Sequence, residues 1–166
     1  MTVKKLSLAG ILVAVGVVCS TFYIPIGVAK VFPVQHFINV LAGVILGPFY
    51  GVAMAFVTSL IRNLMGTGSL LAFPGSMCGA LLCGLLYHSS KKLVLAFAGE
   101  VIGTGIIGAL LAYPIAALLL SSKAAFYGFL LPFSISSFGG AAISMILLVS
   151  LHKAGILRRL TQGQEL

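Results

Sequence analysis

The chain has 166 residues, of which 60% are hydrophobic and 7% charged, with a mean hydropathy of +1.20. A soluble domain needs roughly 25% charged residues to cover its surface, so these proportions exclude one and describe an integral membrane protein. Ten Lys and Arg against two acids give a formal charge of +8, yet the cations sit at the ends of apolar runs, as topology signals do, and form no phosphate-binding face.

The first apolar run, Leu6 to about Phe22, is long enough to span a bilayer. Lys4 and Lys5 before it give it the look of a signal peptide, and Val17-Val18-Cys19 faintly resembles a lipoprotein site. Both lack the small residue expected just before a cleavage point, so a retained helix is expected. Gly10 and Ala14, one turn apart, form a small-residue face suited to close helix packing, although such pairs are common in membrane helices.

Tyr23 to Gln35 follows, and its two prolines, glycine and Lys30 rule out a continuous helix. It is apolar for a loop, which predicts a segment lying on the membrane surface or folded over a pocket. His36 to Asn63 is 28 residues, about 42 Å as one helix. Gly47-Pro48-Phe49-Tyr50-Gly51 interrupts it, so two short spans joined by a tight turn are expected.

Ser59 to Ser76 places a polar, turn-rich passage between two apolar runs. Arg62 and Asn63 close one run, Gly66-Thr67-Gly68-Ser69 break it, and Phe73-Pro74-Gly75-Ser76 open the next. Unsatisfied polar groups cost several kcal/mol in an apolar medium, so irregular polar backbone survives only beside protein, water or ligand. This passage is the leading candidate for a binding site.

Phe73 to His88 reads as a short span carrying the pair Gly75 and Gly79. Leu93 to Leu120 reads as one long span, Ser121 to Ala125 as an external loop, Ala125 to Leu151 as the last span, and Lys153 to Leu166 as a polar cytoplasmic tail. The expected architecture is therefore an all-α integral membrane protein. Its single domain covers 1–166, with six transmembrane helices near 6–22, 36–47, 50–63, 73–88, 93–120 and 125–151. With both termini cytoplasmic, Lys4, Lys5, Lys91, Lys92, Lys153, Arg158 and Arg159 lie inside and Lys30, Arg62 and Lys123 outside, a 7:3 ratio. One span in place of the second and third gives at best 6:4, so the positive-inside rule favours six.

Several motifs are weaker than they look. Gly103-Thr-Gly105-Ile-Ile-Gly108 matches GxGxxG but has no preceding strand, so it reads as a helix-packing face and not a dinucleotide site. Cys19, Cys78 and Cys83 form no CxxC, and the last two point about 140° apart on a helix, which favours small buried residues over a metal or redox site. No Walker A motif occurs, and no cofactor or nucleic-acid partner is expected.

The candidate binding residues lie in four places. Gln35, His36 and Asn39 gather where the second span starts, His36 and Asn39 on one helical face. Capping and interfacial placement would explain them, but three such groups at one interface fit hydrogen bonding to a ligand's heteroatoms. Arg62 snorkels to water on the simplest reading, whereas Asn63, Thr67, Ser69 and Ser76 have less reason to be there and would line a cavity. Tyr113 with Ser134, Ser136 and Ser137 would suit a small flat heterocycle by stacking and hydroxyl contacts, or would be an aromatic-belt residue and helix-bonded serines. Glu100, the one acid within a span, is about 10 Å from its cytoplasmic end. It has either a structural pairing with a basic group there or a coupling role.

Six short spans, the Leu46-Gly47-Pro48-Phe49-Tyr50-Gly51 turn and the basic tail resemble the substrate-binding (S) subunits of energy-coupling factor (ECF) vitamin transporters. More narrowly, Phe32-Pro33-Val34-Gln35-His36, Asn39-Val40-Leu41-Ala42-Gly43 and Arg62-Asn63 look like the ThiW family. So does the block Gly66-Thr67-Gly68-Ser69 through Phe73-Pro74-Gly75-Ser76, and the likeness extends over nearly the whole chain. The resemblance implies an S-component-like bundle in the cell membrane that captures the thiazole moiety of thiamin from outside. It also implies a transmembrane coupling subunit and two cytoplasmic ATPases as partners, and a pocket on the outer side under the Tyr23–Gln35 loop. S subunits commonly dock through an alanine-x-x-x-alanine face on the first helix, where this chain has Gly10 and Ala14. The expected ligand is hydroxyethylthiazole, held by Gln35, His36, Asn39, Arg62, Asn63, Ser69 and Tyr113. The pyrimidine half of thiamin, thiamin itself or another vitamin stay open as substrates. A membrane transferase would want paired acids or a metal cluster, and a channel or facilitator would transport without partners.

Overall fold

Proline and glycine set most of the element boundaries. The computed structural model describes residues 3–26, 29–119 and 128–161. Helix α1 (Val3–Val18) ends in a tightened turn at Cys19–Thr21, whose hydroxyls bond back to the helix, Ser20 to the carbonyl of Val17 at 2.6 Å. Two short strands follow, β1 (Ile24–Ile26) and β2 (Ala29–Val31), paired antiparallel with Pro25 opposite Lys30. Six of the 13 residues expected as a non-helical stretch over Tyr23–Gln35 thus form a β-ribbon, an addition to the all-helical reading, while the last three already belong to the next helix. Its β-branched residues favour extended backbone, and a proline is tolerated in a ribbon with free edges.

Pro33 opens α2 (Pro33–Ile45), where its missing N–H costs nothing. Gly47, at φ 95°, reverses the chain, and Pro48 opens α3 (Pro48–Leu64). After the Gly66–Ser69 turn come α4 (Ala72–Ser90) and α5 (Leu93–Ile102). A π-type segment at Gly103–Gly108 and α6 (Ala109–Leu119) continue the same rod, which is followed by α7 (Leu130–Lys153) and the short α8 (Ile156–Thr161). The external loop expected at Ser121–Ala125 and the start of the last span lie largely outside the described residues.

Among the described residues, three helical rods are long and apolar enough to cross a membrane: Val3–Thr21, Leu93–Leu118 and Leu130–Lys153. Helix α2 is different. It is about 20 Å long, too short for a hydrocarbon core of roughly 30 Å, but ten of its 13 residues are buried. It is wrapped by α3, α4, α5 and α7, with α1 packed outside, mainly on α3. The core runs along α2 through Ile38, Val40, Leu41, Val44 and Ile45, joined by Met54, Cys83 and Leu148. Of the other cysteines, Cys19 and Cys78 are only half-buried.

Close packing brings α4 onto the long rod. A Cβ on Gly79 would lie 2.8 Å from the Glu100 carboxyl and closer still to the Thr104 hydroxyl. Gly79→Ala is therefore expected to cost about 1–3 kcal/mol through overpacking, read as a lower melting temperature in detergent. Unchanged melting would mean that α4 and α5 are not in this register.

Candidate functional site

The ribbon end of the bundle holds a cavity of about 530 Å³. Its walls come from the end of α1, the ribbon, the start of α2, the Gly66–Ser69 turn, the start of α4 and the start of α7. Its lining combines the rings of Tyr23, Phe32, Phe129 and Phe133 with the polar groups of Gln35, His36, Arg62, Thr67, Ser69, Ser76 and Ser136.

Arg62 organises the polar wall. Its side chain is 1% exposed and lines the cavity, so the alternative in which it simply snorkels to water does not hold. The turn at Gly66–Ser69 and Phe32, the residue that precedes α2, close over it. One guanidinium nitrogen donates to Oε1 of Gln35 and another to the Thr67 carbonyl at 3.3 Å, and the group lies 4.5 Å from the Phe32 ring centre. An arginine cannot accept, so Gln35 must turn its oxygen to Arg62 and its amide N–H onward. The amide donates to Ser59 at 3.1 Å, the Ser59 and Ser76 hydroxyls meet at 3.1 Å, and Ser76 donates to the Ala72 carbonyl at 2.8 Å. Every donor in this thread thereby points the same way, from Arg62 across α2 and α3 into α4.

A second cluster lies deeper. Nδ1 of His36 donates to Oε1 of Glu100 at 2.8 Å, and the same oxygen accepts from Asn39 at 3.3 Å and Thr104 at 3.1 Å. Glu100 is fully buried and its Oε2 has no partner. It does not pair with a basic group at the opposite end of its helix; its partner comes from α2, 64 residues away in sequence. Holding the proton on Nδ1 leaves Nε2 as the ring nitrogen of His36 available to the cavity it lines. Asn39 also donates to the Ser76 carbonyl at 3.2 Å, which joins the deep cluster to the Arg62 thread.

The expected site residues therefore divide. Gln35, His36, Arg62 and Ser69 line the cavity. Asn39 stands behind the wall, and Asn63 is not among the lining residues: its amide donates to the carbonyls of Ser59 at 2.8 Å and Ser69 at 3.1 Å, tying the turn to α3. Tyr113 lies on α6, also outside the lining. Of the serines on α7, Ser136 reaches the cavity and accepts from the Phe32 amide at 3.2 Å, while Ser134 and Ser137 bond to backbone carbonyls.

Sequence reasoning missed Ser20, Phe32, Phe129 and Phe133 as cavity walls. Ser20-Thr21 was legible as the polar end of an apolar run, and Phe32 as the residue fixed next to the helix-opening Pro33. Among the described residues no group of three or more His, Cys, Asp or Glu stands close enough to hold a metal ion.

A cavity lined by both aromatic rings and hydrogen-bonding groups, in a bundle with an apolar exterior, suits the capture of a small heterocycle at a membrane. No curated protein matches the chain. A family model does, and through its match to the thiamine-precursor transporter protein family, ThiW, over residues 6–154, the chain belongs to that family.

Proposed function

We propose that this thiamine-precursor transporter is the substrate-capture subunit of an ECF-type importer and takes up the thiazole precursor, hydroxyethylthiazole, from the outer side. The observation that carries the reading is the cavity itself, lined by aromatic rings with hydrogen-bonding groups set among them. A thiazole ring offers a flat apolar face, one ring nitrogen and one hydroxyl, which need a few placed partners. Tyr23, Phe32 and Phe133 supply the apolar slot, and Gln35, His36, Arg62, Ser69 and Ser136 the polar partners. Asn39 and Asn63 hold that wall in place, and Tyr113 would act from α6 as a more distant aromatic contact.

The arrangement proposed in the cell membrane has six spans, with α2 and α3 as two of them and both termini cytoplasmic. This puts the ribbon and cavity outside. The chain has no Walker A motif, which fits a subunit that draws on a coupling subunit and two ATPases for energy.

The test is direct binding by the purified chain in detergent, with hydroxyethylthiazole, hydroxymethylpyrimidine and thiamin as competing ligands. Selective, saturable thiazole binding is expected. It should weaken more in His36→Ala, which removes a cavity contact, than in Asn63→Ala, which loosens a turn. Preference for the pyrimidine or for thiamin would reassign the substrate, and uptake into vesicles by the chain alone would favour a facilitator.

A further inference from the structure

We propose that the substrate is an anionic form of the thiazole, bearing a carboxylate or a phosphate monoester whose charge lies against Arg62. This rests on the thiazole reading above and narrows its substrate class.

The inference comes from a charge that the chain leaves unbalanced. Arg62 is almost wholly buried, yet among the described residues its contacts are neutral: the Gln35 amide oxygen, the Thr67 carbonyl and the face of Phe32. Its Nε is buried with no hydrogen-bond partner among those residues. A buried cation without a counter-charge costs several kcal/mol. The sequence holds two acids: Glu100, which is bonded to His36 at 2.8 Å, and Glu165 near the C-terminus. Glu100 is not among the cavity-lining residues, and among the described residues that lining contains no carboxylate.

A second cation stands on the same wall. Lys30 lines the cavity from β2, with its Nζ 4.5 Å from the Tyr23 ring centre. Tyr23 and Phe32 are in turn 6.0 Å apart. The order Lys30, Tyr23, Phe32, Arg62 is thus a cation, two rings and a cation, running from the ribbon into the pocket. An alcohol offers these groups a neutral acceptor, whereas an oxyanion offers charge-assisted hydrogen bonds and neutralises the wall.

The experiment titrates the purified full chain in detergent with three ligands: hydroxyethylthiazole, its phosphate monoester, and the analogue with a carboxylate in place of the alcohol. At least one anion is expected to bind about 10- to 100-fold tighter than the alcohol, and the two anionic arms show which oxyanion fits. In Arg62→Gln the preference should fall towards one. Lys30→Gln, on an exposed ribbon position, should shrink it without disturbing the core. Equal or tighter binding of the alcohol overturns the proposal and leaves the thiazole reading standing. A preference unchanged in both variants also overturns it. If none of the three binds, the thiazole reading fails and this inference with it.

Discussion

Glu100→Ala is expected to destabilise the protein by about 2–6 kcal/mol, since each buried donor left without an acceptor costs roughly 1–3 kcal/mol. One oxygen of Glu100 accepts from three side chains, on α2 and on the long rod itself. Alanine would take away the acceptor that the His36 and Asn39 donors face. Thr104 would suffer least, because its hydroxyl also reaches the Gly75 carbonyl at 3.0 Å. Glu100→Gln retains an acceptor oxygen and should cost distinctly less. Thermal unfolding in detergent would show the order wild type, Gln, Ala. In a double-mutant cycle, His36→Ala and Glu100→Ala should be strongly non-additive. An alanine variant that melts with the wild type would mean that Glu100 is not the hub of this cluster.

Arg62→Lys should weaken ligand binding by about tenfold or more while the helices stay assembled. The charge is preserved, so the loss would come from shape. A guanidinium bonds in its plane to Gln35 and Thr67 while its face covers Phe32. An ammonium is a single point and cannot hold all three. Once Gln35 loses its fixed partner, the onward bond to Ser59 loses its enforced direction, and the polar wall no longer presents one pattern to the ligand. Calorimetric titration beside a melting curve separates the two effects. Wild-type affinity in the lysine variant would show that only the charge matters at this position.

The helices were legible because apolar runs broken by Gly and Pro leave few alternatives, as Gly47-Pro48 and the Gly66–Ser69 turn show. The π-type segment was not, since a widened turn leaves no mark on hydrophobic periodicity; its Gly103, Gly105 and Gly108 were nonetheless readable as a packing face, and a Cβ on any of them would crowd α4 or α7. The ribbon was hidden because three-residue strands carry too little pattern. At the site, Gln35, His36, Arg62 and Ser69 stood out as polar residues in apolar surroundings. What local sequence could not show is which polar groups would spend themselves on one another. Asn63 is an equally conspicuous side chain, but the turn it ties down takes its donors. The His36–Glu100 pair joins residues 64 positions apart, and no spacing rule reaches that far.

The encased α2 has a consequence for how the chain is made. On leaving the ribosome this helix is a poor passenger for insertion, being short, with Gln35, His36 and Asn39 crowded into its first half. Helix α3 is also burdened, by Arg62 in its last turn, although less than by an arginine at the helix centre, where the cost is roughly 2.5–3.5 kcal/mol. In the six-span arrangement proposed above, the Gly47 turn lets the two enter the lipid as one unit, with Arg62 already facing Gln35. Biogenesis then proceeds by inserting a helical hairpin whose polar groups satisfy each other in transit, and the future binding wall begins to form before the later spans have been synthesised.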